Sequence, residues 1–568
     1  MIPDRIAAAA RAHPDRVAVV GPSGSLSYAE LDDLSGRVSG SLVTRGLPRQ
    51  AVVGLHLARG LDLVVALVGV LRAGCAYLPL DPRHPAKWSR ELVQRAGAAA
   101  VVSGGEAPVW PEGCPGVDVA GAVRGDAIPP EPLLAHEVAY VLFTSGTTGA
   151  PKAVEVTHGN LIHLLHGLER TVWRGVGHAR VAWNASASFD ASVQQWLRLC
   201  RGDTLVLLDE DTRLDPEEMA RYLSRHKVTD LDAVPSHLIQ LKDSLAESGQ
   251  PLRLLVGGEP LPDGLWRELA RSPGIRAWNL YGPTECTVDS TVAEVMGERP
   301  LLGAPLPGVR CHVLDECLMP VPQGEVGELF ISGSGVTRGY RGMPSRTAAS
   351  FLPDPFAADG SRMYRTGDLV RRCETGELEY VRRKDRQLKV RGHRVEPGEI
   401  EAALRALPGV VNAAVVQPRP DQPLVAYVVT APETAVLIVH DRLREILPGH
   451  LVPGAVIALP AFPLTPHGKI DYATLAELRA TGDGEAAGLG LTDAWEAEIA
   501  EIWAKVLARP QISGDADFFD LGGDSLGVTR VLNRCRERFG VHLRPRVLFD
   551  NSGLRDFAEV LRRATAPD

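Results

Sequence analysis

The chain has 568 residues, 45% of them hydrophobic and 23% charged, with a net charge of -9. That length excludes a single domain, and the apolar content is enough for several sizeable cores. The acidic balance and the lack of any lysine and arginine block exclude a nucleic-acid groove, and no apolar stretch approaches the roughly 18 uncharged residues of a membrane span.

The stretch before Pro14 carries Asp4, Arg5 and Arg11, too much charge for the apolar centre of a secretion signal. Eight cysteines, at 75, 114, 200, 286, 311, 317, 373 and 535, include no Cys-x2-Cys pair, which predicts free thiols in a reducing compartment. A cytoplasmic protein is expected. Strands at 17–20 and 25–28 lead into a helix over 28–45 with Leu31, Leu34, Val38 and Leu42 on one face, then a buried strand at 52–57 and a helix at 61–72 stopped by Gly74. This alternation predicts crossover α/β units around a largely parallel sheet. It resumes at 137–144, 155–170, 203–208, 216–226, 229–234, 252–256 and 276–280.

After Leu306 the pattern turns to beta, with strands at 310–314, 327–332 and 377–381 between Gly/Pro-rich turns, a compact beta subdomain. The charge-dense run 381–391 reads as an exposed connector. A small α/β unit follows: Pro397 opens a helix with Ile400, Leu404 and Leu407, strands lie at 412–417 and 424–429, residues 441–446 start another helix, and a proline-rich tail runs over 460–469. Residues 481–490 have the composition of a flexible linker. The rest is helical, with Trp495, Ile499, Trp503 and Leu507, then Val528, Leu532, Cys535 and Phe539, then Leu554, Phe557 and Leu561 at helical spacing, a three-helix bundle.

Two motifs carry chemistry. At 143–152, Phe-Thr-Ser-Gly-Thr-Thr-Gly-Ala-Pro-Lys follows an apolar strand; its glycines let backbone N–H groups converge and its hydroxyls and Lys152 add donors, which suits a polyphosphate. A polar surface turn would share that composition. Ala150 and Pro151 separate Gly149 from Lys152, so the loop is not a Walker A motif. In the bundle, Leu521-Gly522-Gly523-Asp524-Ser525 puts Ser525 at a helix start, as an N-cap or as a modified residue; His542 is the bundle's single histidine, which argues against a serine nucleophile.

Seven motifs in order make the chain resemble an adenylation domain of a nonribosomal peptide synthetase, of the adenylate-forming superfamily, followed by a peptidyl carrier protein. They are Leu26-Ser27-Tyr28-Ala29-Glu30-Leu31; Leu71-Arg72-Ala73-Gly74-Cys75-Ala76-Tyr77-Leu78-Pro79-Leu80-Asp81; the 143–152 loop; Asn279-Leu280-Tyr281-Gly282-Pro283-Thr284-Glu285; Gly327-Glu328-Leu329; Tyr364-Arg365-Thr366-Gly367-Asp368-Leu369; and Gly468-Lys469. The resemblance implies an α/β fold: a large adenylate-forming N-terminal body with a beta subdomain over 1–384, a small mobile α/β C-terminal subdomain over 385–478, a linker at 479–490 and an all-helical carrier bundle over 491–566.

It further implies an ATP site with Mg2+. Thr144, Ser145, Gly146, Thr147, Thr148 and Gly149 would hold the pyrophosphate end with Lys152 as a mobile charge, and Tyr281 would stack on adenine beside Asn279, Gly282 and Thr284. Asp368, with Arg383, would hold the ribose, since one carboxylate matches a diol. Glu285 would hold Mg2+ against the phosphates. Lys469 would stabilise the charge that develops as the substrate carboxylate attacks the α-phosphorus, with Asp385 as hinge. Arg382 and Pro397 depart from the family's usual glycine and leucine. Ser525 would carry 4'-phosphopantetheine, added by a phosphopantetheinyl transferase.

By the same resemblance, Asp190 would bind the substrate's α-ammonium, and Asp190, Ala191, Gln194, Asp232, Leu255, Gly257, Leu280, Val288 and Asp289 would line the side-chain pocket. Buried Gln194, Asp232 and Asp289 disfavour an apolar substrate, and the set resembles the family's glutamine pockets; glutamate and cationic amino acids are the alternatives. The expected product is an aminoacyl thioester, passed to downstream condensation, oxidation or other tailoring enzymes, with a small MbtH-like activator among the expected partners. An acyl-CoA-type ligase would lack Asp190 and the carrier bundle, and a non-catalytic scaffold would not need Lys152, Glu285, Asp368 and Lys469.

Overall fold

The computed structural model describes residues 1–568 except 106–107, 147–149, 391, 420–421, 432–435, 466, 468, 482–490, 492, 508–510, 520, 522, 524 and 566–568. Two compact units emerge, one of Met1–Ser145, Pro151–Asp209 and Ala220–Arg394, the other of Gly146–Ala150, Glu210–Met219 and Val395–Asp568. The expected boundary at 385 falls nine residues before the end of the first unit's last segment.

In the first unit, a nine-stranded sheet runs in the order 304–305, 291–294, 275–281, 252–257, 230–233, 180–183, 204–207, 17–21, 24–27, and a seven-stranded sheet in the order 339–340, 152–157, 138–144, 76–80, 52–56, 98–103, 116–118. The strand Val52–His56 is buried at every position, as parallel strands covered on both faces require. The helix Leu61–Arg72 is buried throughout 63–72, so it needs no polar stripe. Helix Tyr28–Thr44 starts where the sequence signals it, with the Ser27 hydroxyl accepting from Glu30 N–H and the Glu30 carboxylate accepting from Ser27 N–H.

The central strands are pinned by a buried ion network. Arg198 donates to Asp203 at 2.6 Å and to Asp230 at 3.0 Å, and Arg253 donates to the other oxygen of Asp230 at 2.6 Å. Each charge has a partner, which offsets the cost of burying it. Asp230 opens the strand Asp230–Ala233, so the network fixes the register of the strand that carries Asp232.

The expected beta subdomain is a sheet of Val309–Leu314, Val326–Gly333, Arg362–Arg372 and Phe351–Pro353, with Leu378–Arg383 on Arg362–Arg372. The run 381–391 is not the wholly exposed connector its charge suggests: Arg383 pairs with Asp368 across that sheet, and Gln387 and Val390 are buried. Long cationic stems can cover apolar surface while their heads find carboxylates, which charge density does not reveal.

In the second unit, Pro397 begins the helix Pro397–Arg405, and Val410–Val416, Val425–Thr430 and Ala455–Ala458 form a three-stranded sheet. The bundle comprises Ala494–Leu507, Ser525–Phe539, Pro545–Asp550 and Leu554–Thr565 around Trp503, Phe518, Val528, Leu548 and Phe557. The third, short helix was not expected from the sequence; Pro545 stands in its first turn, and six residues are too few for a periodic signal. The expected linker lies mostly outside the described residues. All eight cysteines are free, and among the described residues no helix is long and apolar enough to cross a membrane.

Candidate active site

The site-bearing residues of the first unit cluster where parallel strands end, the usual place for a ligand in an open α/β sheet. Asp232, Leu255, Leu280 and Tyr281 stand on the strands Asp230–Ala233, Leu252–Gly257 and Ile275–Tyr281, with Asp232 opposite Leu255 and Gly257 opposite Leu280. Tyr281 Oη donates to Asp368 Oδ2 at 2.6 Å, and Arg383 Nη1 donates to Asp368 Oδ1 at 3.0 Å. Arg383 also binds Asp385, at 2.9 and 2.7 Å, so one guanidinium ties the expected ribose acceptor to the expected hinge.

Glu285 lies in the short turn Thr284–Cys286 and is fully buried. Its carboxylate accepts from Tyr340 Oη at 2.7 Å and from Arg394 Nη1 at 3.1 and 2.8 Å, with Lys152 Nζ at 3.9 Å. Burial alone would raise its pKa, but Arg394 and Lys152 outweigh burial and bring it down to about 2. Lys152, expected as a mobile charge, is buried, with its Nζ 5.1 Å from the centre of the Tyr340 ring.

Of the residues expected to hold phosphate, Thr144, Ser145 and Gly146 are described. Thr144 Oγ1 is buried with no hydrogen-bond partner among the described residues. Ser145 Oγ donates to the Arg394 carbonyl. Gly146, in the second unit, donates its N–H to Glu399 at 3.2 Å; Thr147, Thr148 and Gly149 lie outside the described residues. Asn279 Nδ2 is engaged by the Leu301 carbonyl at 2.6 Å.

Asp190 precedes the helix Ala191–Trp196 and accepts from the Thr284 hydroxyl. Burial raises its pKa, opposed by Thr284 and by Lys389. Lys389 is lowered by burial, against the pull of Asp368 and Asp190, and its Nζ lies 6.0 Å from the Tyr281 ring centre.

Deeper in, Gln194 Nε2 donates to Asp232 Oδ2 at 2.9 Å, and Asn184 Nδ2 holds the Asp232 carbonyl at 2.8 Å. Gln194 Oε1 and Asp289 Oδ2 are buried with no partner among the described residues. Burial raises Asp232 to about 7 and Asp289 well above the ordinary range, the latter with help from Asp232 and Asp190. Thr287 and Val288 adopt φ of 62° and 66°, a left-handed conformation costly for β-branched residues. Gly282 makes this turn possible, since a Cβ there would stand 2.2 Å from the Val288 carbonyl oxygen.

In the second unit, Lys469 is exposed on a turn, its carbonyl accepting from Thr465 N–H at 2.7 Å. Ser525 is the first residue of its helix rather than the residue before it. Sequence reasoning missed Tyr340, Lys389 and Arg394. Tyr340 sits in no motif the sequence displays; the other two lie in or beside the charged run and could have been found only by asking which cations lack local acidic partners.

The family described as AMP-binding enzyme matches residues 6–341, that described as AMP-binding enzyme C-terminal domain matches 399–469, and that described as phosphopantetheine attachment site matches 497–561. CymA of Salinispora arenicola, described as a probable non-canonical nonribosomal peptide synthetase, is 42% identical over 98% of this chain, and phosphinothricin tripeptide synthetase PhsB of Streptomyces viridochromogenes is 37% identical over 100% of it. The chain spans 7% of the first relative and 49% of the second. Among solved structures, holo-PA1221, a nonribosomal peptide synthetase protein with adenylation and carrier domains, superposes with a TM-score of 0.86 at 28% identity, covering 99% of this chain and 96% of that one.

Proposed function

We propose, from the premise that this chain belongs to the AMP-binding enzyme family and carries a phosphopantetheine attachment domain behind it, that it activates L-glutamine with ATP and loads it onto its own carrier domain at Ser525. The products of the first step are glutaminyl-AMP and pyrophosphate; the second releases AMP and leaves a thioester.

Two unpartnered buried oxygens carry the choice of substrate. Gln194 Oε1 calls for a donor, while burial holds Asp289 well above the ordinary carboxylate range, so its Oδ2 can donate as well as accept; the side-chain amide of glutamine brings both N–H groups and a carbonyl oxygen to match. A leucine side chain would leave both groups unsatisfied, at about 1–3 kcal/mol each. Glutamate has no N–H to offer and would add a third carboxyl to Asp232 and Asp289. A cationic side chain can donate, but the raised pKa values of both aspartates favour a neutral guest at pH 7.

In the first step, Asp190 would hold the α-ammonium and Asp368 the ribose diol. The Tyr281 ring would cover adenine while its hydroxyl keeps Asp368 oriented. Thr144 Oγ1, Ser145 and Lys152 would donate to phosphate oxygens. Lys469 would bring positive charge to the substrate carboxylate and the α-phosphate. Glu285, an ionised carboxylate that, despite burial, Arg394 and Lys152 hold well below the usual range, would be the protein's ligand for Mg2+, whose remaining ligands would come from phosphate and water. Mg2+ would neutralise charge on the triphosphate.

In the second step, phosphopantetheine on Ser525 would supply the attacking thiol. No base beside Ser525 is then needed, because the serine is only the attachment point. Amino-acid-dependent ATP–pyrophosphate exchange across the twenty standard amino acids and ornithine tests the proposal. Glutamine is expected to lead. Exchange with no amino acid would refute activation, and leucine or phenylalanine ahead of glutamine would refute the pocket assignment.

A further inference from the structure

Arg394 takes part in none of the roles above, yet it is the closest cation to Glu285. Its Nη1 donates to both carboxylate oxygens, at 3.1 and 2.8 Å, against 3.9 Å for Lys152. Tyr340 takes a further lone pair at 2.7 Å. The Arg394 carbonyl in turn accepts from the hydroxyl of Ser145, in the phosphate loop. One residue thus occupies, with its side chain, the carboxylate assigned to Mg2+ and, with its backbone, a hydroxyl assigned to phosphate.

The position is built rather than incidental. Gly392 N–H donates to Glu259 Oε1 at 2.7 Å, and Glu259 is itself fixed by Ser236 N–H and Oγ at 2.9 and 3.0 Å. Gly392 has φ of 79°, and a Cβ there would stand 2.6 Å from Val234 Cγ1, so the chain passes where a side chain could not. The His393 ring packs 5.7 Å from that of Phe189.

We infer that Arg394 is a positioning residue that takes the place of Mg2+ on Glu285 once pyrophosphate has left, so that metal-pyrophosphate and the arrangement seen here exclude each other. Arg394 and Tyr340 together take three of the roughly four lone-pair sites of this carboxylate, a divalent cation on the remaining site would be repelled by the adjoining guanidinium, and Ser145 cannot donate its one proton to the Arg394 carbonyl and to a phosphate at once. The consequence is directional. While Arg394 holds Glu285, pyrophosphate cannot rebind to reverse adenylation, and the aminoacyl-AMP is committed to the thiol.

This inference rests on the ATP-site assignment of the proposed function, and the test separates the two. Binding of Mn2+ with the non-hydrolysable analogue α,β-methylene-ATP to the full chain is followed by the EPR signal of free Mn2+. Arg394→Gln is expected to tighten Mn2+ binding by about two- to tenfold, the gain when a competing state populated at roughly half to nine-tenths is removed. Arg394→Lys, which keeps the charge on a shorter, compact ammonium, should fall between wild type and Arg394→Gln. Unchanged or weaker Mn2+ binding in Arg394→Gln would overturn the inference while leaving the ATP site standing. Wild-type Mn2+ binding that Glu285→Gln does not weaken would overturn the metal assignment and the inference with it.

Discussion

Replacing Asp232 with asparagine tests the electrostatics of the pocket most directly. Burial raises this carboxyl from the ordinary 3.8 to about 7. The folded chain therefore holds the proton more tightly than the unfolded chain does, and stability falls as pH rises from about 4 to about 7, then stays reduced. Three pH units correspond to about 4 kcal/mol. Asparagine keeps an acceptor for Gln194 Nε2 at the same place and carries no titratable proton. Asp232→Asn should thus be more stable than wild type by up to about 4 kcal/mol at pH 8, and by less than about 2 kcal/mol at pH 5. Thermal unfolding followed by calorimetry at the two pH values measures this, with Tm rising by several degrees at pH 8 and by clearly less at pH 5. A stabilisation of equal size at both pH values, or a loss at pH 8, would show that Asp232 titrates near its ordinary range and that the pocket is anionic at neutral pH.

Other outcomes follow from the same geometry. Lys469→Ala should slow exchange far more than Lys152→Ala, because Glu285 keeps its Arg394 and Tyr340 partners when Lys152 is lost; the reverse ranking would place the chemistry on the phosphate loop. Gly282→Ala should abolish glutamine-dependent exchange and cost about 1–3 kcal/mol, since the new methyl would meet the Val288 carbonyl; near-normal exchange would mean that the 287–289 turn does not shape the pocket. Ser525→Ala should leave exchange intact while intact-mass analysis after treatment with a phosphopantetheinyl transferase and CoA shows no added mass; a mass gain would move the attachment point elsewhere. Trp503→Ala, at the centre of the bundle core, should destabilise the carrier by about 3–5 kcal/mol, abolishing that modification without lowering exchange.

Local signals with a period or a cap were legible in the chain itself. The helix Leu61–Arg72 has the bounds its apolar run predicts, and Ser27 with Glu30 marks the start of Tyr28–Thr44. The ordered motifs pointed to the fold and the carrier, and they single out Tyr281, Asp368 and Glu285, which the structure places in the candidate site. The short helix Pro545–Asp550 escaped because less than two turns leaves no periodicity to detect. The partial burial of the run at 381–391 is not legible because composition records charge but not where each charge ends.

What only the tertiary structure decided is which groups meet. Tyr281 and Asp368 are 87 residues apart, Glu285 and Arg394 are 109 apart, and Gln194 and Asp232 are 38 apart. No local rule relates such pairs, because their proximity follows from strand order and from turns as strained as Thr287–Val288. Side-chain identity determined which chemistry this protein could hold. The crossing of distant strands decided that Arg394 reaches Glu285 and that Asp289 Oδ2 meets no hydrogen-bond partner among the described residues, since burial and charge pairing are properties of neighbours in space.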